Sequence, residues 1–141
     1  MPFVFNWHDL EHSIIRVDVF GDINWEQFHI SVDQVAEELL KADHRIDLIY
    51  NDPVGMPKGN PLPHLKVGSS KLDSIRNFGI LVLVSPRTLS GFTKAMMEIA
   101  IRVYGLDLTH NGGFVTTMDE AVAIINKSRA KDKVAVAATR S

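Results

Sequence analysis

The side chains best suited to bind a ligand lie near the junction between an apolar run that ends at Val84 and a helical pattern that begins near Ser90. The linking segment reads Ser-Pro-Arg-Thr-Leu-Ser-Gly, so Arg87, Ser90 and Thr93 could donate hydrogen bonds to a small ligand, such as an anion, at the helix N-terminus. Open α/β sheets bind ligands in such crevices. The same residues fit a structural role in which Ser90 caps the helix and Arg87 is solvated. The lack of a glycine-rich phosphate fingerprint favours that role.

A second group of polar side chains lies in a proline- and glycine-rich stretch from Pro53 to Lys66. Lys58 and His64 could bind a ligand or a partner there, because loops carry function disproportionately. The alternative is a connector that happens to contain polar residues. Proline and glycine at this density favour turns and extended backbone over a packed element.

Metal and nucleophilic chemistry have little support in the sequence. His8 and His12 are four residues apart, which would suit a metal site on a helix, but the surrounding pattern predicts a hairpin turn. The chain has no cysteine, which excludes disulfides, thiolate zinc sites and thiol nucleophiles. No HExxH or paired-acid motif is present. A catalytic triad of residues distant in sequence is not excluded by the sequence alone. We therefore expect no metal, no cofactor and no enzymatic activity.

The elements that must position these residues alternate between strand and helix patterns. Asn24 followed by Gln27 predicts a capping box, and apolar residues spaced by three and four predict a helix from about Trp25 to Lys41. The full order predicts an α/β fold with a mixed sheet and crossover helices. The predicted elements are a hairpin (3–20), that helix, a strand (46–50), a short helix (65–77), a strand (79–84), a helix (90–104), a strand (114–116) and a helix capped by Thr117.

The helix predicted over residues 90–104 carries more apolar surface than one sheet contact requires. Its core stripe includes Phe92, Met96 and Ile99, whereas Met97, Ile101 and Tyr104 lie round to one side. That flank is either buried by the C-terminal helix or exposed as a surface for self-association. The second interpretation predicts a homodimer.

The order of elements resembles the SpoIIAA-like members of the STAS superfamily, the fold of anti-sigma factor antagonists. The resemblance rests on the Val19–Ile23 strand end, the strands at 47–52 and 78–86, and Phe114-Val115-Thr116-Thr117 entering a helix. It implies a phosphorylatable serine at a helix N-terminus, and the nearest matches are Ser69 and Ser70. The acidic residue before the serines and the glycine after them are absent here. A plain helix-capping serine is the alternative.

Composition sets the outer bounds. A chain of 141 residues fits one domain, predicted over residues 1–130 with a frayed or disordered tail over 131–141. A net charge of −2 argues against nucleic-acid binding, and no apolar run is long enough to span a membrane. We expect a cytoplasmic, non-enzymatic regulatory or protein-interaction module that associates with itself and with a regulatory protein. The alternative is a carrier or sensor of a small apolar or anionic ligand.

Overall fold

The structure is a computed structural model that describes residues 3–20, 24–51, 61–84 and 112–140. The described strands form one five-stranded sheet in the order β1-β2-β3-β4-β5. The strands are β1 (Phe3–Trp7), β2 (Ile14–Val19), β3 (Ile46–Asn51), β4 (Phe78–Val84) and β5 (Gly112–Val115), and the described helices are α1 (Trp25–Lys41), α2 (Pro61–Asp73) and α3 (Met118–Arg140).

Strand direction confirms the mixed α/β fold. β1 pairs antiparallel with β2, as the predicted hairpin requires, with Phe5 opposite Val17. β2 through β5 are all parallel. Parallel neighbours need long crossover connections, which is why α1 lies between β2 and β3 and α2 between β3 and β4. The carboxyl ends of β2 to β5 therefore share one edge of the sheet, and their starts share the other.

The first helix forms for the reasons visible in its sequence. The Asn24 side chain accepts a hydrogen bond from the Gln27 backbone N–H at 2.8 Å, and the Gln27 side chain accepts one from the Asn24 N–H at 3.0 Å. This capping box satisfies donors that have no partner within the helix. The stripe of Val32, Val35 and Leu39 is buried against the sheet. The predicted helix and its bounds are confirmed.

The sheet separates two apolar layers. Alternate residues of β2 and β3, including Ile15, Val17 and Leu48, face α1 and α2. On the other face Ile49 and Val82 pack with Ala121 and Ile125 of α3. β4 contributes to both layers, as predicted for a central strand. Helices thus cover both faces of the central strands.

Two helices differ from the sequence prediction. α2 begins at Pro61 rather than near Leu65, because proline is tolerated in the first helical turn, where the missing N–H has no partner anyway. Ser69 and Ser70 consequently lie in its third turn, and the prediction that they start the helix was wrong. α3 runs through Arg140, whereas a frayed tail was predicted over 131–141; its alanine-rich end has high helix propensity.

Several predicted features fall outside the described residues. These are the helix over 90–104 with Met97, Ile101 and Tyr104, and the ligand candidates Lys58, Arg87, Ser90 and Thr93. Within the described ranges, no helix combines the length and hydropathy needed to cross a membrane.

One buried charge joins the sheet to α3. Asp47, at the start of β3, is completely buried and accepts hydrogen bonds from Arg45 Nη2 at 2.9 Å, Arg129 Nε at 2.8 Å and the Ile80 backbone N–H at 2.9 Å. Arg129 also donates to the Ser13 carbonyl oxygen at 2.9 Å. A buried carboxylate is tolerated only when such donors replace its hydration. This Asp47 cluster therefore determines where α3 can lie.

The cluster also explains a glycine in β4. A Cβ built on Gly79 would lie 1.9 Å from Asp47 Oδ1 and 2.5 Å from Arg45 Nε. Any larger side chain would displace the carboxylate from its donors. Gly79 is therefore required by close approach rather than by a special backbone conformation.

The Asp47 cluster yields the first prediction. Asp47→Asn should lower the free energy of unfolding by about 3 kcal/mol, because two arginines lose the charge that balances them inside the fold. Chemical denaturation followed by circular dichroism measures the change. Asp43→Asn, which alters a fully exposed side chain two residues after α1 ends, is the matched control and should match the wild type. Equal stability of all three proteins would show that the cluster contributes nothing.

Candidate functional site

His64 is the one predicted ligand-binding residue that lies within the described ranges. It lies in the first turn of α2, at the edge of the sheet where β2 and β3 end. Its ring stacks on Trp25 with centroids 4.6 Å apart and planes 4° from parallel. Its Nδ1 lies 2.9 Å from His29 Nε2. His64 thus joins the beginnings of α1 and α2, and its side chain is already engaged within the chain.

The two imidazoles form a proton-sharing pair. One ring must donate and the other accept, so the bond requires that at least one of them is neutral. Burial lowers the pKa of His29, the positive charge of His64 lowers it further, and Asp33 opposes both. The nitrogens lie on the line between the two rings, whose centroids are 5.1 Å apart, whereas metal ligands would converge on a third point. The geometry is that of a hydrogen bond.

A row of contacts, which we call the α1–α2 seam, continues from this pair. Phe28 of α1 packs against Gly68 of α2, where an added Cβ would lie 3.2 Å from the ring. Lys71 of α2 forms an ion pair with Asp33 of α1. Ser70 beside it is exposed, and its position within α2 removes the free helix N–H groups that would favour a phosphate. Phosphorylation of Ser69 or Ser70 stays a prediction.

His8 and His12 lie in the segment between β1 and β2, as the hairpin interpretation predicted. His12 stacks on Trp7 at 4.6 Å, and His8 Nδ1 lies 3.5 Å from Arg16 Nη1. Across the ranges that the structure describes, histidine, aspartate and glutamate side chains form no group of three or more able to hold a metal ion.

A polar network covers the carboxyl ends of β2 and β3 on the α3 side of the sheet. Asp18 of β2 accepts hydrogen bonds from Asn6 Nδ2 at 3.0 Å, Arg16 Nε at 2.9 Å and Asn51 Nδ2 at 2.9 Å. The register produces this arrangement, because Asn6 lies opposite Arg16 and Asn51 lies beside Asp18. Asp18 is thereby held in place, and the Arg16 guanidinium remains partly exposed.

Two apolar side chains border this network. Val4 lies opposite Asp18 in β1 and is 41% exposed, and Phe20, directly after β2, is 51% exposed. Strand alternation places both on the same face as Asp18. Val4, Phe20, Asn6, Arg16, Asp18 and Asn51 form what we call the β1–β2 surface. In the sequence, this surface corresponds only to the alternation of Arg16 and Asp18 with valines, a pattern that predicts a hairpin strand and no binding surface.

Comparison with known proteins adds no relative. No protein-family model, no curated protein and no solved structure matches this chain.

The histidines yield the second prediction, a contrast in pH dependence. Burial lowers the pKa of His29 from 6.5. The stability that His29 contributes is therefore full above pH 6.5 and is lost as the pH falls through the lowered pKa. The pKa of His44 is raised, chiefly by its hydrogen bond to the His12 carbonyl oxygen. The stability that His44 contributes is full below pH 6.5 and is lost as the pH rises through the raised pKa.

Denaturation of wild type, His29→Gln and His44→Gln between about pH 5 and pH 8 tests this contrast. The stability advantage of wild type over His29→Gln should grow with pH, and its advantage over His44→Gln should shrink. Slopes of the same sign for the two variants would contradict the assignment.

Proposed function

We propose that this chain is a SpoIIAA/STAS-like regulatory module that acts through protein contacts and has no catalytic role. The fold-level support is the arrangement of elements: an antiparallel β1 joined to β2, then sequential parallel strands with α1 and α2 on one face. Fold analogy alone is a weak argument for function, so the proposal depends on a surface.

The observation that carries the proposal is the β1–β2 surface. Val4 and Phe20 expose apolar area beside a guanidinium that Asp18 holds in a fixed position. Aromatic residues and arginine are enriched at protein interfaces, and a positioned arginine loses less side-chain entropy on binding than a free one. The matching partner would present an apolar side chain and a carbonyl or carboxylate acceptor for Arg16.

The ionisable groups support a binding role over catalysis. Asp18 and Asp47 accept from donors of the chain itself, and His64 is bonded to His29. These arrangements position neighbouring elements. The engagement of His64 also makes the edge where β2 and β3 end less suited to hold a small ligand, the alternative drawn from the sequence.

Self-association is part of the proposal. The proposed homodimer forms through the flank of Met97, Ile101 and Tyr104, which lies outside the described residues, whereas the proposed regulatory partner binds the β1–β2 surface. The two contacts can therefore be tested separately.

Sedimentation at micromolar concentration tests the dimer. We expect wild type to sediment at twice the chain mass of 15.7 kDa. Met97→Glu and Tyr104→Glu should give monomers, because each introduces a charge into the apolar contact. Phe20→Glu should remain dimeric. A wild-type monomer would overturn the homodimer, and a monomeric Phe20→Glu would move the self-contact to the β1–β2 surface.

Affinity capture from the native host, quantified by mass spectrometry, tests the partner surface. A specific partner should be retained by wild type and by Leu10→Glu, which changes a 99% exposed residue at the hairpin tip. It should be depleted by about tenfold or more with Phe20→Glu. If Phe20→Glu retains every protein that wild type captures, the β1–β2 surface has no such role.

A further inference from the structure

A cavity of about 1090 Å³ lies at the edge of the sheet where β3 and β4 begin. The C-terminal ends of α1 and α2 form its sides, and Ser128 of α3 also lines it. Its size is that of sites that bind small organic ligands. It is at the opposite edge of the sheet from His64.

The inner wall of the cavity is apolar. Ile75 and Phe78 are partly buried there and lie over the fully buried Leu39 of α1. Leu40 lines the cavity and is 73% exposed, so its side chain is accessible to a ligand. Such a wall would gain free energy by covering a hydrocarbon chain.

The rim of the cavity is predominantly cationic. Lys71, Arg76, Arg45 and His44 line it, against Asp43 as the acid among its described lining residues. Arg45 and Lys71 already have carboxylate partners, Asp47 and Asp33. Arg76 is exposed and, within the described parts of the chain, has no hydrogen-bond or ion-pair partner. Arg76 is therefore the cation available to a ligand.

Helix C-termini normally repel anions, and here that repulsion is reduced. Asn77 Nδ2 donates its two protons to the carbonyl oxygens of Leu39 at 2.9 Å and His44 at 3.0 Å, and the Ala42 carbonyl oxygen is a longer, shared contact at 3.4 Å. The Ser74 hydroxyl donates to the Lys71 carbonyl oxygen at 2.7 Å. Carbonyls that would otherwise present partial negative charge to the cavity are thus satisfied. An anion at Arg76 therefore meets fewer unsatisfied carbonyl groups than it would at an ordinary helix C-terminus.

We propose that this cavity binds a single-chain amphipathic anion, with its hydrocarbon chain against Leu40, Ile75 and Phe78 and its charged head at Arg76. A neutral apolar ligand would form no ion pair with Arg76. A small polar anion would leave the apolar wall in water. The combination of wall and rim selects a ligand that has both parts.

Nuclear magnetic resonance titration of the full chain, with isoleucine methyl groups labelled, tests the proposal. The probes are octanoate, octyl phosphate, 1-octanol and acetate at the same ionic strength. Octanoate or octyl phosphate should bind and shift the Ile75 and Ile80 methyl signals, and comparison of the two identifies the preferred head group. Octanol should bind about tenfold more weakly, and acetate should cause no saturable shift.

Two exposed substitutions locate the site without threatening the fold. Arg76→Gln and Leu40→Glu should each raise the dissociation constant for the tighter-binding anion by about tenfold. Lys66→Gln, at the opposite edge, and Leu10→Glu, at the hairpin tip, are matched controls and should change it by less than about twofold. Thermal unfolding confirms that each variant is folded.

The proposal is overturned if neither octyl anion binds, or if octanol binds as tightly as they do. It is also overturned if Arg76→Gln and Leu40→Glu bind like the wild type. Loss of binding in Lys66→Gln alone would place the ligand at the edge near His64 instead.

Discussion

The buried charge of Asp47 is the constraint on which the described structure depends. Its carboxylate receives donors from the residue before β3, from the backbone of β4 and from α3, and Arg129 extends the contact to the hairpin through Ser13. Desolvating one carboxylate costs several kcal/mol, on the order of the whole stability of a small domain. The fold tolerates that cost only when β4 and α3 are both in place. The pairing of β3 with β4, the position of α3 and the need for glycine at position 79 therefore all depend on the same carboxylate.

The two edges of the sheet differ because the same helices are held differently at each end. Where the strands end, α1 and α2 begin with aromatic stacking and the His29–His64 bond, which close the space between them. At the edge where the strands begin, the helices end. There the Asn77 side chain bonds to the carbonyl oxygens of Leu39 and His44. A cavity forms at that edge because its polar groups are satisfied locally. Among the described residues the cavity lies at the edge where the strands begin, whereas open parallel sheets usually bind ligands at the carboxyl edge.

Local rules predicted the parts of this fold that depend on near neighbours in sequence. The capping box at Asn24, the stripe through Leu39 and the hairpin all follow from residues within one or two turns. α2 was placed too late because Pro61 and Pro63 resemble loop residues unless they occupy the first helical turn. Asp47 and Arg129 are 82 positions apart, so no local pattern could pair them. A lone aspartate in an otherwise apolar strand was the available signal.

The cavity and the β1–β2 surface lie at opposite ends of β3, and this limits how one could influence the other. Residues 46–50 are buried and fixed by neighbouring strands, so β3 has no second arrangement to adopt. The α1–α2 seam is different. The Lys71 and Asp33 side chains are each about half exposed, and exposed ion pairs contribute little to stability. The histidine bond at the far end of the seam depends on protonation. Coupling between sites requires an element with two accessible states, and the seam meets that requirement better than β3 does.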